Sequence, residues 1–377
     1  MPLEHGGGTE KYLLETATQL KRLDKNLEIS IITPNEKLIK KILFFYSFYF
    51  QKNLSSSFLR EQEKTIQKKL GPVTYQKMES LERLSNELKK FDVIYSTNNL
   101  LEVVLLSLFF RNRSRPKIIL GFHIPMTYLK TNSIQSLLHN ILYNSFIYKN
   151  LINQANILHV INNFDEKRLS KLLSYKKIVK IYNPFDFDDY QQMAHHKKYS
   201  EKWQNNKINI LWVGRLTEQK GIDDLLFLIQ KINHTDLKNK IIWNIVGDGE
   251  LKPKVVEIAN QFNNVRYFGY IQQYYLPSIY KNNQLYISTS KWESFPYNLL
   301  EAQCFGLPVI CYNIHGCNDI IDHEKNGFLV ETKQEFLSTL IQVIKHNKKP
   351  STDIKKYIRS KFNYHLLYEK LHILFTK

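Results

Sequence analysis

Short apolar runs alternate along the chain with longer segments in which apolar residues recur every three or four positions. The short runs predict β-strands and the longer segments predict amphipathic helices. The strand candidates are "EISIIT", "DVIYST", "KIILGF", "ILHVIN" and "IVKIYN" in the first half, and "INILWVG", "IIWNIVG", "VRYFG", "LYIST", "PVICYN" and "GFLVE" in the second. This alternation is typical of parallel α/β layers, so we expect two doubly wound domains with ligands at the carboxyl ends of the strands.

Two helices are marked by a stripe of aliphatic side chains, one over residues 9–23 and one over residues 221–232. The stripes consist of Leu13, Leu14, Ala17 and Leu20 in the first helix, and of Leu225, Leu226, Ile229 and Ile232 in the second. Residues 186–207, between the two halves, are polar, and we interpret them as the linker between the domains.

The start of the chain departs from this pattern. The glycine-rich loop "HGGGTE" comes directly before the first predicted helix. In a doubly wound domain such a loop normally follows a central strand. Either the first strand is missing or another segment fills its position, and the sequence leaves both explanations open.

The charge of the chain is unevenly distributed. Hydrophobic residues make up 43% of the 377 residues and charged residues 23%, as in a globular protein of two domains, and the formal net charge is +18. Residues 1–183 contain 28 Lys and Arg against 15 Asp and Glu, a net of +13, whereas residues 184–377 contain 25 against 20, a net of +5. The basic first half favours an anionic partner such as a lipid surface, a phosphate-bearing substrate or nucleic acid. A lysine-rich composition from an AT-rich genome is the alternative explanation.

Cysteine usage and the longest apolar runs bear on the compartment. The three cysteines, Cys304, Cys311 and Cys317, lie in one segment and lack the spacing of a zinc site or a disulfide framework. We therefore expect a reducing compartment and a cytoplasmic protein. The runs at residues 42–50 and 103–110 are shorter than the roughly 20 residues of a membrane-spanning helix. A peripheral position on the cytoplasmic face of the membrane is the open alternative.

A candidate site begins in "KWESFPYNLLEAQCFGLPV", residues 291–309. Pro296 fits the first turn of a helix that would stop at Gly306, which places Glu293 before the helix and Glu301 about five residues into it. Amides at a helix start attract a phosphate or a polar sugar, and an acid on each side would accept hydrogen bonds from hydroxyl groups. The alternative is that both acids are solvated or capping residues.

A second candidate, "VGRLTEQKG", places Arg215 and Lys220 on the loop between a predicted strand and a predicted helix. Two cations there would neutralise a diphosphate leaving group, since Arg offers a planar fork and Lys a point charge. An exposed basic loop is the alternative. Gly247 in "IVGDGE" stands where a predicted strand ends and is by itself a weak turn signal. The glycines Gly7 and Gly8 in "GGGTEK" allow close approach of a backbone to a phosphate, which is also a weak signal by itself.

Taken in order, the short segments of the chain resemble glycosyltransferase family 4. The resemblance rests on Gly7-Gly8-Thr9-Glu10, "GFHIP", "IYNPFD", "VGRLTEQKG", "VGDGE", "VRYFGYI", "SKWESFP", "LLEAQCFGLPVI" and "NGFLV". It is strong over residues 208–330, where the spacing of Glu293 and Glu301 is its most specific part, and weak over residues 36–115.

The resemblance implies a retaining transferase of the GT-B fold, in which two Rossmann-like domains face each other across a cleft and a C-terminal helix crosses back to the first domain. The expected divisions are an acceptor-side domain at residues 1–184, a linker at 185–207, a nucleotide-sugar domain at 208–358 and a returning helix at 359–377. The expected donor is a UDP- or GDP-linked hexose, which is a substrate, and neither a cofactor nor a metal is expected.

The resemblance also implies roles for individual residues. Arg215 and Lys220 would bind the donor diphosphate, Glu301 the ribose hydroxyls and Glu293 the donor sugar. His123 in "GFHIP" would reach the sugar, and the implied catalytic set is His123, Glu293, Arg215 and Lys220. Further donor-binding positions are Gly7 and Gly8 at the diphosphate, Tyr270 and Ile271 beside the base, Phe295, Pro296, Tyr297, Asn298 and Leu299 at the sugar and distal phosphate, and Gly247, for which no particular donor group is implied. A lone histidine after a strand is otherwise typical of a satisfied polar residue.

The acceptor is indicated only by residues 37–52, where an aromatic run is set among Lys37, Lys40, Lys41 and Lys52. The segment predicts contact with an anionic membrane near a lipid-linked or growing glycan acceptor, and a buried helix between the domains is the alternative. A GT-B enzyme acting on nucleic acid would also be basic, but the spacing of the two glutamates disfavours nucleic acid as a partner. A non-catalytic binding protein would fit a missing first strand but not the retained donor-site residue types.

Overall fold

The structure is a computed structural model that describes residues 12, 16–17, 19–21, 23–34, 74–78, 90–96, 116–123, 146–173, 177–195 and 206–376. The glycine-rich loop with Gly7 and Gly8, the position of a first strand, and the two segments at residues 37–52 and 103–110 all lie outside these residues. The chain divides into two compact units, the first formed by Met1–Pro184 with His365–Lys377 and the second by Phe185–Tyr364.

The described part of the first unit contains two parallel sheets. Its elements are β1 (Ser30–Pro34), β2 (Thr74–Met78), β3 (Val93–Ser96), β4 (Lys117–Phe122), α1 (Phe146–Ile152), β5 (Ile157–Val160), α2 (Asn163–Leu172) and β6 (Ile178–Lys180). Strands β1 and β2 pair with each other, and β3, β4, β5 and β6 form a second sheet in chain order. The five predicted strands are present, and β2 was not predicted because "TYQKM" contains no apolar run.

The core of the first unit lies around the central strand β4. Ile118, Leu120 and Phe122 of this strand pack with Tyr148 of α1 and Leu158 of β5, and none of the five is exposed. A strand that is buried on both faces reads as a continuous apolar run, which is why "KIILGF" was recognisable in the sequence.

The second unit is built on one six-stranded parallel sheet in its described residues. Its strands are β7 (Ile208–Val213), β8 (Ile241–Val246), β9 (Val265–Tyr267), β10 (Leu285–Ser288), β11 (Val309–Tyr312) and β12 (Gly327–Val330). Its helices are α3 (Phe187–Gln192), α4 (Ile222–Asn233), α5 (Lys252–Gln261), α6 (Leu276–Lys281), α7 (Tyr297–Cys304), α8 (Cys317–Ile320), α9 (Lys333–His346) and α10 (Ile354–Lys361). The order across the sheet is β12-β11-β10-β7-β8-β9, the doubly wound arrangement of a Rossmann-like domain. All six strands predicted for the second half are present.

Two segments near the unit boundaries complete the fold. The last helix, α11 (Tyr364–Thr376), lies almost entirely in the first unit, where Lys117 donates to the Leu374 carbonyl at 2.9 Å and the ring of Phe375 lies 5.1 Å from that of Tyr95. The expected return of the C-terminal helix to the first domain is thus confirmed. The stretch predicted as a linker begins with helix α3, which belongs to the second unit because Phe187 and Tyr190, three residues apart, are buried there.

In the described ranges, no helix combines the length and the apolar composition that crossing a bilayer requires.

Candidate functional site

The strand order of the second unit reverses between β7 and β10, and ligands of doubly wound sheets bind outside the carboxyl ends of the strands at such a point. The loops after these two strands are joined by hydrogen bonds. The Thr289 hydroxyl donates to the Lys220 carbonyl at 2.8 Å, and the Lys291 amide donates to the Gln219 carbonyl at 2.8 Å. The side-chain amide of Gln219 donates to the Trp292 carbonyl at 3.2 Å. The segments that carry the predicted cations and the first predicted acid are therefore neighbours.

Gly221 makes this close approach possible. Its φ is +65°, and a Cβ added there would lie 1.9 Å from the carbonyl oxygen of Thr289. Any side chain would push the two loops apart and would also strain the left-handed backbone. Gly221 is the last residue of the segment "VGRLTEQKG", but no function was predicted for it.

Lys220, on the loop after β7, forms an ion pair with Glu293, on the loop after β10. Their side chains are only 15% and 9% exposed, so solvent screens the pair less than it would at the surface. Arg215 lies on the same loop as Lys220, is exposed, and donates from its guanidinium to Gln219 Oε1 at 3.2 Å. One half-buried cation and one exposed cation thus border the switch point of the sheet.

Tyr286 of β10 connects the two predicted acids. Burial, followed by the charges of Glu301 and Glu293, raises the pKa of Tyr286 well above its ordinary value, and the ring of Tyr286 lies 5.7 Å from that of Tyr280. The Tyr286 hydroxyl donates to the Val213 carbonyl at 3.2 Å and accepts from the Asn298 side-chain amide at 2.7 Å. The lysine, both glutamates and Asn298 therefore belong to one site.

Glu301 is buried and is held by a second tyrosine. Tyr280 donates to Glu301 Oε2 at 3.0 Å, and burial together with the Glu301 charge raises the pKa of Tyr280. A buried tyrosine keeps its hydroxyl satisfied, and a carboxylate is a strong acceptor for it. Lys220, Glu293, Glu301, Tyr280 and Tyr286 are called the switch-point cluster below.

Tyr280 and Tyr286 were not predicted as site residues. In "LYIST" and "LPSIYK" each tyrosine has the position of an ordinary core residue, and only the need of a buried hydroxyl for a partner distinguishes it from phenylalanine.

The helix that carries Glu301 begins one residue later than predicted. Helix α7 starts at Tyr297, and Pro296 is its N-cap residue, which supplies no side-chain hydrogen bond to the first turn. The Leu299 amide donates to the Pro296 carbonyl at 3.1 Å. Phe295 and Tyr297 are buried, and their rings meet edge to face with centroids 6.3 Å apart. The helix ends before Gly306, whose φ of +80° fits the predicted stop.

The turns after β7, β8 and β9 lie against one another. Gly247 has a φ of +144°, and a Cβ there would lie 1.8 Å from the Gly214 carbonyl oxygen. The Gly247 amide donates to the Gly269 carbonyl at 2.8 Å. Tyr270, directly after Gly269, is 43% exposed, whereas Ile271 is buried. The predicted base-flanking pair therefore offers one accessible aromatic ring at the same edge of the sheet.

His123 lies in the first unit, in a group of four aromatic residues that we call the tyrosine–histidine cluster: Tyr12, His123 and His159, which are buried, and Tyr95, which is half-buried. Each of the last three stands at or near the carboxyl end of a strand. The Tyr95 hydroxyl is 2.7 Å from His123 Nε2, 2.8 Å from His159 Nδ1 and 3.4 Å from the Tyr12 hydroxyl. Desolvation lowers the pKa of both histidines, to about 4 for His159. Tyr95 and His159 were not predicted as site residues, because they occupy ordinary strand positions.

The predicted site residues are thus distributed over both units. Those of the second unit that lie at the carboxyl edge of its sheet are Arg215, Lys220, Gly247, Tyr270, Ile271, Glu293, Phe295, Pro296, Tyr297, Asn298, Leu299 and Glu301. Among the described residues no three His, Cys, Asp or Glu side chains are grouped so that they could hold a metal ion. That the protein needs no metal stays a prediction.

The second unit matches a known family. Residues 195–361 match the family model described as "Glycosyl transferases group 1", and this range contains the segments from Arg215 to Glu301 in which the donor site was predicted. The chain is 34% identical over 161 residues to an uncharacterized 41.2 kDa protein in the cps region of Klebsiella pneumoniae, and the match covers 42% of each protein. It is 30% identical over 176 residues to the UDP-Gal:alpha-D-GlcNAc-diphosphoundecaprenol alpha-1,3-galactosyltransferase of Escherichia coli, covering 44% of this chain and 45% of that protein. The matches therefore span less than half the length of these two relatives.

Solved structures extend the comparison to the whole fold. The crystal structure of Anabaena Alr3699/HepE in complex with UDP-glucose is 16% identical, with a TM-score of 0.72 over 98% of this chain and 96% of that chain. A glycosyltransferase from Rickettsia africae has a TM-score of 0.69 at 19% identity, over 100% of this chain and 96% of that one. The expected GT-B fold with two Rossmann-like domains is confirmed.

Proposed function

We propose that this chain is a retaining glycosyltransferase of family 4 that transfers a hexose from a nucleotide diphosphate to a glycan or a lipid-linked acceptor. The observation that carries the proposal is the switch-point cluster, in which Lys220 pairs with Glu293 and Tyr280 donates to Glu301 at 3.0 Å, beside the switch point of the sheet. The family match over residues 195–361 covers these residues.

The cluster has the chemistry that a nucleotide-sugar donor requires. Lys220, with the exposed Arg215, offers positive charge to a diphosphate, and the amides at the start of α7 favour an anion as well. Glu293 and Glu301 are acceptors for hydroxyl groups, Glu293 for the sugar and Glu301 for the ribose. Because Glu293 is already paired with Lys220, a donor would enter a site in which opposite charges are held close together.

Uridine is the favoured base in this proposal. The Escherichia coli relative is named for a UDP-galactose donor, and the Anabaena structure contains UDP-glucose. We extend this property to the present chain as a hypothesis, with GDP as the alternative base.

In the proposed reaction, the bond from the anomeric carbon to the diphosphate oxygen breaks, and a new bond forms to an acceptor hydroxyl oxygen on the same face. The acceptor proton passes to the departing phosphate oxygen. Lys220 and Arg215 stabilise the charge that develops on the diphosphate, which is an electrostatic contribution to catalysis.

For the acceptor, we favour a lipid-linked sugar over a free glycan. The Escherichia coli relative is named for a diphosphoundecaprenol-linked acceptor, and the first half of the present chain has a net charge of +13. Binding of the full chain to anionic liposomes at physiological salt tests the surface contact, because a protein that remains in the supernatant would remove the membrane from the proposal.

A screen of nucleotide sugars for hydrolysis and transfer tests the proposed activity directly. We expect release of UDP from one UDP-hexose, and an anomeric configuration in the product that equals that of the donor by NMR. An inverted product would reject the retaining mechanism. If neither UDP nor GDP raises the melting temperature and no donor is consumed, the chain is a non-catalytic protein of this fold.

A further inference from the structure

The side chain of Gln219 joins the loop after β7 to the loop after β10 in the second unit. Its Oε1 accepts from the Arg215 guanidinium at 3.2 Å, and its Nε2 donates to the Trp292 carbonyl at 3.2 Å. A guanidinium only donates and a carbonyl only accepts, so these two partners fix which end of the Gln219 carboxamide faces which group. The exposed cation Arg215 is thereby tied to the segment that leads into Glu293.

The approach of the two loops does not depend on this side chain. The Lys291 amide donates to the Gln219 carbonyl at 2.8 Å. The Thr289 hydroxyl donates to the Lys220 carbonyl at 2.8 Å. Both contacts use main-chain carbonyls of the loop after β7, so they remain when the side chain of Gln219 is replaced. We therefore expect a Gln219 variant to fold, with the release of Arg215 as its main local change.

Arg215 is a long, exposed side chain that is held at one point. In the part of the chain that the structure describes, its guanidinium donates to Gln219 Oε1 and to no other acceptor. A guanidinium carries five N–H donors, so the others remain available to an anion. A flexible side chain loses conformational entropy when a ligand fixes it, and a side chain that is already ordered loses less. The contact with Gln219 therefore lowers the entropic cost of binding an anion at Arg215.

The acceptor that holds Arg215 carries no charge. Lys220, the other cation of the site, is paired with the carboxylate of Glu293, so its charge is compensated before a ligand arrives. A carboxylate at position 219 would compensate Arg215 in the same way, because arginine and carboxylate form strong paired hydrogen bonds. The neutral carboxamide of Gln219 instead orients the guanidinium and leaves its positive charge for the ligand.

We propose that Gln219 is a positioning residue that holds Arg215 in place for the diphosphate of the donor without neutralising its charge. The proposal rests on the proposed function, because it takes the anion to be a nucleotide diphosphate. Gln219 contacts no part of the donor itself and acts through Arg215. Two substitutions of similar length separate its two contributions, which are the hydrogen bond and the absence of charge.

Gln219→Met removes both side-chain hydrogen bonds, so Arg215 becomes mobile but keeps its charge. Gln219→Glu keeps an acceptor for Arg215 but adds a negative charge, so Arg215 stays ordered and is neutralised. Gln230→Met is the matched control, because Gln230 lies exposed on α4. We expect all three variants to melt close to the temperature of the wild type. A much lower melting temperature of Gln219→Met would assign its side chain a structural role instead.

The mobility of Arg215 is measured without any ligand, by ¹⁵N relaxation of the Nε–H groups in the full chain labelled with ¹⁵N-arginine. The Arg215 signal is identified by its loss in Arg215→Lys. We expect the heteronuclear NOE of this signal to fall in Gln219→Met, and to stay at or above the wild-type value in Gln219→Glu and in Gln230→Met. An unchanged NOE in Gln219→Met would overturn the proposal.

Titration calorimetry with UDP gives the second measurement. We expect the Kd to rise about threefold in Gln219→Met and about tenfold in Gln219→Glu, and to stay unchanged in Gln230→Met. In an Arg215→Met background, Gln219→Met should have no further effect, because the side chain through which it acts is gone. An equal rise in both backgrounds would contradict a role through Arg215. A Gln219→Glu variant that binds UDP as tightly as the wild type would contradict the need for a neutral acceptor.

Failure of this proposal and failure of the proposed function give different results. If the wild type binds UDP and Gln219→Met binds it equally well, the proposed function stands and the role of Gln219 is wrong. If the wild type binds neither UDP nor GDP, the proposed function is wrong, and the role of Gln219 at a diphosphate is wrong with it.

Discussion

The switch-point cluster and the tyrosine–histidine cluster both lie at the carboxyl ends of parallel strands, but the first is made of charged side chains and the second of neutral ones. The first contains a lysine and two carboxylates, with Lys220 and Glu293 already in contact. The second contains only tyrosines and histidines, and burial lowers the pKa of both histidines so that they are uncharged near pH 7. The same edge of the same type of sheet therefore carries charged side chains in the second unit and neutral hydrogen-bonding side chains in the first.

The largest expected effect concerns acid stability of the first unit. The pKa of His159 is about 4 in the folded state against about 6.5 when unfolded, so the unfolded state binds the extra proton as the pH falls below 6.5. Stability is fully present above pH 6.5 and decreases between about pH 6.5 and 4, by about 3 kcal/mol for a difference of about 2.5 pH units. Hydrogen exchange of a peptide covering β5, corrected for intrinsic rates, measures this loss.

The control for this prediction is the variant His159→Gln, which removes the titrating ring. We expect a shallower dependence of β5 protection on pH in this variant. All four tryptophans lie in the residues of the second unit, so their fluorescence reports whether that unit unfolds at the same pH. Parallel pH profiles of wild type and variant would show that His159 is not the cause.

The next largest effect is expected for Lys220→Ala in the switch-point cluster. The substitution removes a charge for the diphosphate and leaves the buried Glu293 without its partner, so we expect kcat/KM to fall by at least 100-fold, or about 2.7 kcal/mol. Lys254→Ala is the matched control, because Lys254 pairs with Asp223 on the surface and both side chains are more than half exposed. Its kcat/KM should change by less than twofold. A Lys220→Ala enzyme with wild-type kinetics would contradict the assignment.

Glu301→Gln tests whether Glu301, within the switch-point cluster, binds the ribose of the donor. Glutamine keeps an oxygen for Tyr280 but loses the negative charge that accepts hydroxyl protons strongly, and we expect the Kd for UDP to rise about tenfold, or about 1.4 kcal/mol. Titration calorimetry measures this change. Glu257→Gln on α5, where the side chain is exposed, should leave the Kd unchanged. Equal affinities in all three proteins would place the ribose elsewhere.

The smallest effect is expected for Tyr280→Phe. It removes the hydrogen bond of 3.0 Å to Glu301 but keeps the ring, so we expect the Kd for UDP to rise about threefold, or about 0.7 kcal/mol. If Tyr280 acts through Glu301, the same change in a Glu301→Ala background has no effect. An equal loss in both backgrounds would assign Tyr280 a structural role only.

Apolar runs made most of the second unit predictable. Five of its six strands are short and mostly buried, β9 buries only Val265, and helix α4 shows the aliphatic stripe of residues 221–232. The spacing of Glu293 and Glu301 also indicated the site, because it depends on positions within one short segment. Strand β2, by contrast, has no apolar run and was not predicted. Helix α3 was interpreted as part of the linker because its aspartates and glutamines make it polar, although two of its aromatic side chains are buried.

The tertiary partners of the site could not be predicted from local patterns. Tyr95 and His159 are 64 residues apart in sequence and become neighbours only because β3 and β5 flank β4. Tyr280 and Glu301 meet through the packing of two helices that the sequence does not relate to each other. The contact between Lys220 and Glu293 likewise depends on Gly221, whose missing side chain lets two loops approach.

Because helix α11 packs in the first unit, this unit is assembled from both ends of the sequence, with the entire second unit inserted between its parts. On the ribosome, residues 185–364 are complete before the last helix emerges, so the second unit has its full chain while the first still lacks α11. Domains fold as units once their chain is available. The contact of Phe375 with Tyr95 beside the tyrosine–histidine cluster therefore forms only after α11 has been translated.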